Sequence, residues 1–238
     1  MKLAIIGYGK MGKEIEKIAL ERNHEVILKI DSKNTHLLTD GSLAEADAAI
    51  EFSKPEKAVE NILACFEAEV PVAVGTTGWY KEWEEVQDEC ESQDACLLTA
   101  TNFSVGVNLF FELNRKLAQL ISKRGEYKAQ IKEIHHTQKL DSPSGTAISL
   151  ADDLIERHPA YSKWVNEESK EESSLEILSY RESSVPGTHE IIYDSSIDEI
   201  SIKHTAKNRK GFALGSVLAA EFIQNKIGIY TMKDVLNF

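Results

Sequence analysis

Through the first hundred residues, short apolar and β-branched runs alternate with longer segments of helical spacing, the pattern that builds a parallel sheet with helices on its faces. Leu3 to Ile6, Val26 to Ile30, Ala48 to Phe52, Val72 to Val74 and Cys96 to Thr99 are the expected strands. Met11, Ile15, Ile18 and Ala19 share one helical face between the first two. The segment from Pro55 to Glu69 opens with proline where a first helical turn tolerates it. These elements predict a Rossmann-like half.

After Asn102 the pattern changes. Val105 to Lys123 predicts a helix, and Tyr127 to His136, Leu175 to Arg181, Thr188 to Tyr193 and Ile197 to His204 predict strands of a mixed or antiparallel sheet. Phe212 to Gln224, rich in Ala and Leu, predicts an apolar helix that packs back onto the first domain. The expected fold class is therefore α/β. An N-terminal Rossmann-like parallel-sheet domain, residues 1–102 completed by about 211–238, is followed by a second α+β domain over 103–210. The polar, acidic stretch Asn166 to Ser174 reads as a solvated loop.

Charge narrows the partners. The chain has 238 residues and a formal net charge of -12, with no basic run to offset it, so neither nucleic acid nor an anionic membrane surface is an expected partner. Cys65, Cys90 and Cys96 are odd in number and lack a close-spaced pair, which fits a reducing compartment and suggests neither disulfides nor zinc. The apolar run at the N-terminus is too short for a signal peptide, and the expected location is cytoplasmic.

Gly7-Tyr8-Gly9-Lys10-Met11-Gly12 is a GxGxxG that follows an expected strand and opens an expected helix. The first glycine permits the tight turn, the second lets backbone approach a pyrophosphate, and the third allows close helix packing. Asp31 stands nineteen residues past Gly12, at the end of the second strand, where a carboxylate accepts hydrogen bonds from the adenosine ribose. The cofactor is thus NADH or NADPH: Asp31 repels a 2'-phosphate, while Ser32, Lys33 and Lys10 offer it a hydroxyl and positive charge. Gly75-Thr76-Thr77-Gly78 and Ala100-Thr101-Asn102-Phe103 lie at the C-terminal ends of later strands, where small residues and hydroxyls admit a nicotinamide.

The densest chemistry runs from Glu133 to Thr146. His135 and His136 point to opposite faces while on strand, so the pair is poorly arranged to chelate a metal, and none is expected. Lys139 nearby adds a second group able to carry positive charge, which suggests a carboxylate site. Ser144-Gly145-Thr146 precedes a helical segment, Ala147 to Arg157, so its N-H groups can hold an anion at the positive helix end while Ser144 caps it.

With these residues in place, the chain resembles the 4-hydroxy-tetrahydrodipicolinate reductase (dihydrodipicolinate reductase) family. The run from Glu133 meets every fixed letter of the family pattern E-x-H-H-x-x-K-x-D-x-P-S-G-T, with Thr137-Gln138 where other members carry more basic residues. Asn102 to Asn108, Val74 to Gly78 and Gly7 to Gly12 are similar to further family motifs in the same order. The resemblance implies a homotetramer joined through the second sheet and a cyclic dicarboxylate substrate. It also implies that Gly7 to Gly12, Asp31, Gly75 to Thr77 and Ala100 to Phe103 bind the nicotinamide cofactor. His136, Ser144, Gly145 and Thr146 would hold substrate carboxylates, and His135 and Lys139 would serve the proton chemistry. Two rivals remain open: another two-domain NAD(P)-dependent oxidoreductase, which leaves the run from His135 to Thr146 unexplained, and a non-catalytic NADH-binding regulator, for which no basic recognition helix is visible.

Overall fold

A computed structural model describes all residues, Met1–Phe238. The chain divides into two units, Met1–Val105 with Arg209–Phe238, and Gly106–Asn208.

The first unit contains β1 (Lys2–Ile6), α1 (Lys10–Glu21), β2 (Glu25–Ile30), β3 (Ala48–Glu51), α2 (Pro55–Glu67), β4 (Val72–Val74), α3 (Trp83–Ser92) and β5 (Cys96–Thr99). Six strands form one parallel sheet in the order β11-β5-β4-β3-β1-β2, the β11 strand (Gly228–Tyr230) arriving from the far end of the chain. The side-chain period of two splits each strand between two cores. Ala4 and Ile6 of β1 join Val72, Val74, Ile62 and Val86 on one face; Leu3 and Ile5 join Ile15, Ile18 and Ile50 on the other. That second face is completed by α6 (Lys210–Ile223), whose Ala213, Val217 and Ala220 belong to the same cluster. A helix so apolar, with seven buried residues, is one whose exposure to water would be costly. Strand order reverses around β1, the switch point where ligands of open α/β sheets bind.

The second unit begins with α4 (Val105–Ile121) and continues through β6 (Lys128–His135), α5 (Gly145–Arg157), β7 (Lys163–Val165), β8 (Ser174–Arg181), β9 (Gly187–Asp194) and β10 (Glu199–Ala206). Its sheet is mixed, in the order β10-β9-β6-β8-β7. Strand β6 runs parallel to β8 and antiparallel to β9, and β7 pairs with β8 in parallel. Register sets up the chemistry. Ile131 of β6 lies opposite Ile177 of β8 and Ile191 of β9, and all three are fully buried in a core shared with Leu150, Leu154 and Phe110. One step of the pleat further along the same face, the row turns polar: Ser179, Glu133 and His189.

The parallel sheet and the mixed second sheet agree with the expected fold class, and strand ends fall within two residues of the expected ones. Helix α2 ends at Glu67, short of the expected Glu69, because Glu69 adopts a φ of 56° and leaves the helix. Strands β7 and β11 and helix α3 were not expected; both strands are three-residue edges, too short to show a period. The closing segment is α7 (Met232–Leu236), held by a capping box from Thr231 to Asp234. No helix is long and apolar enough to cross a membrane. Residues 166–173 form the loop between β7 and β8, mostly exposed as expected, yet Asn166 donates to Ser142 Oγ at 3.0 Å and accepts from Ser179 Oγ at 2.8 Å.

Candidate active site

In the first unit, the glycine turn joins β1 to α1. Gly7 has a φ of 92°, and a Cβ there would lie 2.0 Å from the Phe52 carbonyl oxygen, so only glycine fits. The turn is pinned by the N-H groups of Gly7 and Tyr8, which donate to the Ile30 carbonyl at 2.8 and 2.9 Å. Gly9 is the N-cap of α1, is exposed, and has open space where a side chain would stand. Gly12 is buried under the turn. An open peptide at a helix N-terminus, with no acidic side chain in the first helical turn, fits a pyrophosphate. Lys10 is exposed and Met11 half-buried. Tyr8 is half-buried and its hydroxyl bonds to Glu16, which also pairs with Lys29.

Asp31 is exposed just past β2, and its carboxylate accepts from the Lys33 N-H at 2.7 Å. That bond orders the turn at the adenosine end of the expected site. At the ends of β3 and β4 a second network forms. Gly75 donates its N-H to the Glu51 carbonyl at 2.8 Å, and Thr76, buried, uses its hydroxyl to accept from the Ser53 N-H at 2.8 Å. Thr77 is left exposed, as is Thr101, whereas Ala100 and Asn102 are half-buried and Phe103 packs inward against Phe52. The site residues named from sequence in this half therefore separate into groups facing solvent and groups that hold the loops.

Glu51 was not singled out from sequence. Its carboxylate accepts from Ser53 and Asn61, its second oxygen is buried without a partner, and burial pushes its carboxyl up against those hydrogen bonds. An acid raised in the folded state loses stability as pH climbs above the unfolded value, here about 4.5, toward the folded one. Glu51→Gln should thus melt close to the parent at pH 4, and progressively above it as pH rises, by up to about 1.4 kcal/mol per pH unit within that window. A difference in melting temperature that is flat from pH 4 to 8 would show that the Glu51 carboxyl is not raised in the folded protein.

In the second unit, β6 places Glu133 and His135 on one buried face, at 0% and 6% exposure, while His136 lies beyond the strand end, half-buried. Glu133 accepts from the Ser144 N-H at 3.1 and 3.2 Å and from the Ser179 hydroxyl at 2.8 Å. His135 Nδ1 lies 3.3 Å from Glu133 Oε2, within ion-pair range though off the line of a hydrogen bond, and His189 Nε2 and Arg181 each lie 3.6 Å from the carboxylate. Burial alone would push Glu133 up; the nearby His135 and His189 rings and the Ser144 and Ser179 donors outweigh it and hold the carboxyl well below the usual range. The Glu133, His135 and His189 ligand atoms fall within 4.8 Å of one another, a spacing a metal would need, but Ser144 and Ser179 already occupy the carboxylate.

Ser144 is the N-cap of α5, its Oγ accepting from the Ala147 N-H at 3.2 Å and lying 3.1 Å from His189 Nε2. At 2% exposure its side chain serves the protein interior. Gly145 is exposed and Thr146 half-exposed, so the free N-H groups of the first helical turn are what an anion would meet. Lys139 pairs with Asp141 at 2.8 Å in the preceding loop, and Arg181 donates to the Asp141 carbonyl at 2.6 Å. Sequence reasoning missed His189 and Arg181. Neither lies in the signature, and both reach it only through strand register, Glu133 opposite His189 and His135 opposite Arg181.

Residues 1–103 match the family model described as dihydrodipicolinate reductase, N-terminus, and residues 106–236 match dihydrodipicolinate reductase, C-terminus. A 4-hydroxy-tetrahydrodipicolinate reductase of Christiangramia forsetii is 48% identical over 238 residues, covering 100% of this chain and 98% of that one. One of the same name from Clostridium tetani is 30% identical, covering 100% of this chain and 97% of the relative. The solved dipicolinate-bound dihydrodipicolinate reductase from Paenisporosarcina sp. TG-14 shares the fold, with a TM-score of 0.77, 23% identity and 98% of each chain covered. The chain belongs to the dihydrodipicolinate reductase family.

Proposed function

We propose that this protein reduces 4-hydroxy-tetrahydrodipicolinate to tetrahydrodipicolinate in lysine and diaminopimelate biosynthesis, with His135 as proton donor, Lys139 beside it, and the Gly145 and Thr146 N-H groups holding a substrate carboxylate. The observation that carries the reading is that the whole run from Glu133 to Thr146 folds as one strand, loop and helix start. It puts a buried imidazole and a helix N-terminus on the same carboxylate, Glu133.

NADH or NADPH, when bound, supplies the hydride for the ring carbon from which the hydroxyl departs as water. Gly7 to Gly12 would hold its pyrophosphate, Asp31 its adenosine ribose, and Gly75, Thr76, Thr77 and Ala100 to Phe103 its nicotinamide end. What remains for this chain's side chains is to hold the substrate and move one proton. Reduction of the conjugated imine leaves an electron-rich neighbouring carbon, and His135 delivers a proton to it. Lys139, tied to Asp141, stabilises negative charge nearby. His136 and the Ser144-Gly145-Thr146 turn bind the carboxylates, with the Ser144 hydroxyl acting through the cap rather than by contact. Hydride and proton in, water out, and the equation balances. We further propose a cytoplasmic homotetramer joined through the second sheet, whose outer strand β10 is largely exposed.

The test is a coupled assay in which a synthase generates the substrate and absorbance of the reduced nicotinamide is followed with each cofactor in turn. Substrate-dependent consumption is expected with both. Binding of the reduced cofactor without consumption would favour an NADH-responsive regulator and overturn the proposal.

A further inference from the structure

A proton donor is effective only in one orientation and at a fixed separation from the group that anchors its substrate. Two side chains with no assigned role hold both ends of that separation in this protein. We propose that Glu133 and His189 are a positioning pair for the reduction: the Glu133 carboxylate fixes the His135 ring through Nδ1 and the Ser144 peptide through its N-H, while His189 fixes the Ser144 hydroxyl. The inference rests on the assignment of His135 and the Ser144-Gly145-Thr146 turn made above.

Register builds the pair. Glu133 lies on the central strand β6 with Ser179 and His189 as its lateral neighbours, so the carboxylate is walled in by two strands: the Ser179 hydroxyl donates to it at 2.8 Å and His189 Nε2 lies 3.6 Å away. The fold can close such a row without charge, since the adjacent row of Ile177, Ile131 and Ile191 does so with aliphatic side chains alone. Packing therefore does not call for a buried carboxylate at this level, and burying one is costly unless it is paired. What the carboxylate does is join two groups nine positions apart in the chain: His135 Nδ1 at 3.3 Å and Ser144 N at 3.1 Å. Facing Nδ1 at 3.3 Å, it favours the ring orientation that leaves Nε2 as the working nitrogen. Gly187 keeps the Nε2 edge clear, since a Cβ there would lie 3.1 Å from it.

His189 braces the other end. It is 5% exposed, its ring meets His135 edge-on with centroids 5.0 Å apart, and its Nε2 lies 3.1 Å from Ser144 Oγ. Burial pushes its imidazolium down, in opposition to Glu133, so a neutral ring sits between the donor and the cap. The Ser144 hydroxyl thereby has two fixed neighbours, His189 and the Ala147 N-H, and the first turn of α5 is locked to the same carboxylate that orients His135.

The experiment uses Glu133→Gln and His189→Asn, each alone and combined with His135→Ala, in the full-length enzyme. The coupled assay gives kcat and KM, and cofactor affinity and melting temperature are measured alongside. Glu133→Gln is expected to lower kcat by about 10- to 100-fold and to raise substrate KM, with cofactor affinity unchanged. In the His135→Ala background its additional effect on kcat should shrink below about twofold, because a residue that works through the imidazole has nothing to act on once the ring is gone. His189→Asn should show its loss mainly in KM, about 3- to 10-fold, and provides the test if the glutamine variant does not fold. Parent-like kcat for Glu133→Gln, a loss that persists undiminished in the His135→Ala background, or parent-like KM for His189→Asn would each overturn the inference while leaving the donor assignment standing. Full turnover by His135→Ala alone would instead remove the donor assignment, and the inference with it.

Discussion

His135→Ala should lose about 10²- to 10⁴-fold in kcat, the usual worth of a positioned general acid, while cofactor dissociation constants stay within about twofold of the parent. The asymmetry follows from where the residue sits. His135 ends β6 in the second unit, whereas the glycine turn, Asp31 and the Thr76 network all belong to the first. KM should move less than kcat, because the N-H groups of Gly145 and Thr146, proposed above as the substrate anchor, belong to a helix whose cap bonds survive the substitution. Loss of the ring also leaves a space beside a buried carboxylate, so some fall in melting temperature is expected. Steady-state kinetics with synthase-generated substrate, paired with cofactor titration, separates these effects. A kcat within about threefold of the parent would place the donor elsewhere.

Gly215→Ala should destabilise the protein by about 3 kcal/mol or more, although alanine is the better helix former by about 1 kcal/mol. Gly215 lies within α6, and a Cβ there would stand 1.6 Å from the Phe103 carbonyl oxygen and 2.8 Å from its carbon. These are backbone atoms and cannot rotate aside. Relief requires α6 to lift from the sheet, opening the cluster of Ala213, Val217 and Ala220 with Leu3, Ile5 and Ile50. The alternative is displacement of the Ala100 to Phe103 stretch, which should weaken cofactor binding in whatever fraction remains folded. Denaturant or thermal unfolding decides which effect wins: a midpoint equal to or above the parent's would mean that propensity, not the clash, governs the position.

Much of the fold was legible because both periods are clean. The strands from β1 to β5 read as short apolar runs, and on β6 the alternation of Ala129, Ile131, Glu133 and His135 appears directly in their burial. The same alternation turns His135 inward, whereas His136, expected on the strand, lies just beyond its end. Strands β7 and β11 escaped notice because three residues on a sheet edge carry too little pattern. The candidate site was legible where it is local, as in the glycine turn and the run from Glu133 to Thr146. It was illegible where it depends on pairing: His189 stands 56 positions after Glu133 in the chain and has no neighbouring motif of its own. Aligning the buried Ile131 with Ile191 and stepping two residues along each strand would have found it. Glu51 escaped for a different reason. Its sequence context is an apolar strand end, and only the structure shows the orphaned oxygen that makes the carboxyl unusual.

The return of α6 and β11 to the first sheet has a consequence for synthesis. A nascent chain that has just released Val105 from the ribosome carries β1 to β5 with one apolar face covered only in part, by α1, and the segment that completes it begins only at Arg209. At about 5–20 residues per second, translation leaves Leu3, Ile5 and Ile50 without α6 for roughly 5–20 s. Over that interval the half-built sheet offers apolar surface to chaperones, and a chain terminated anywhere in the second unit is expected to aggregate rather than to form a free-standing nucleotide-binding fragment.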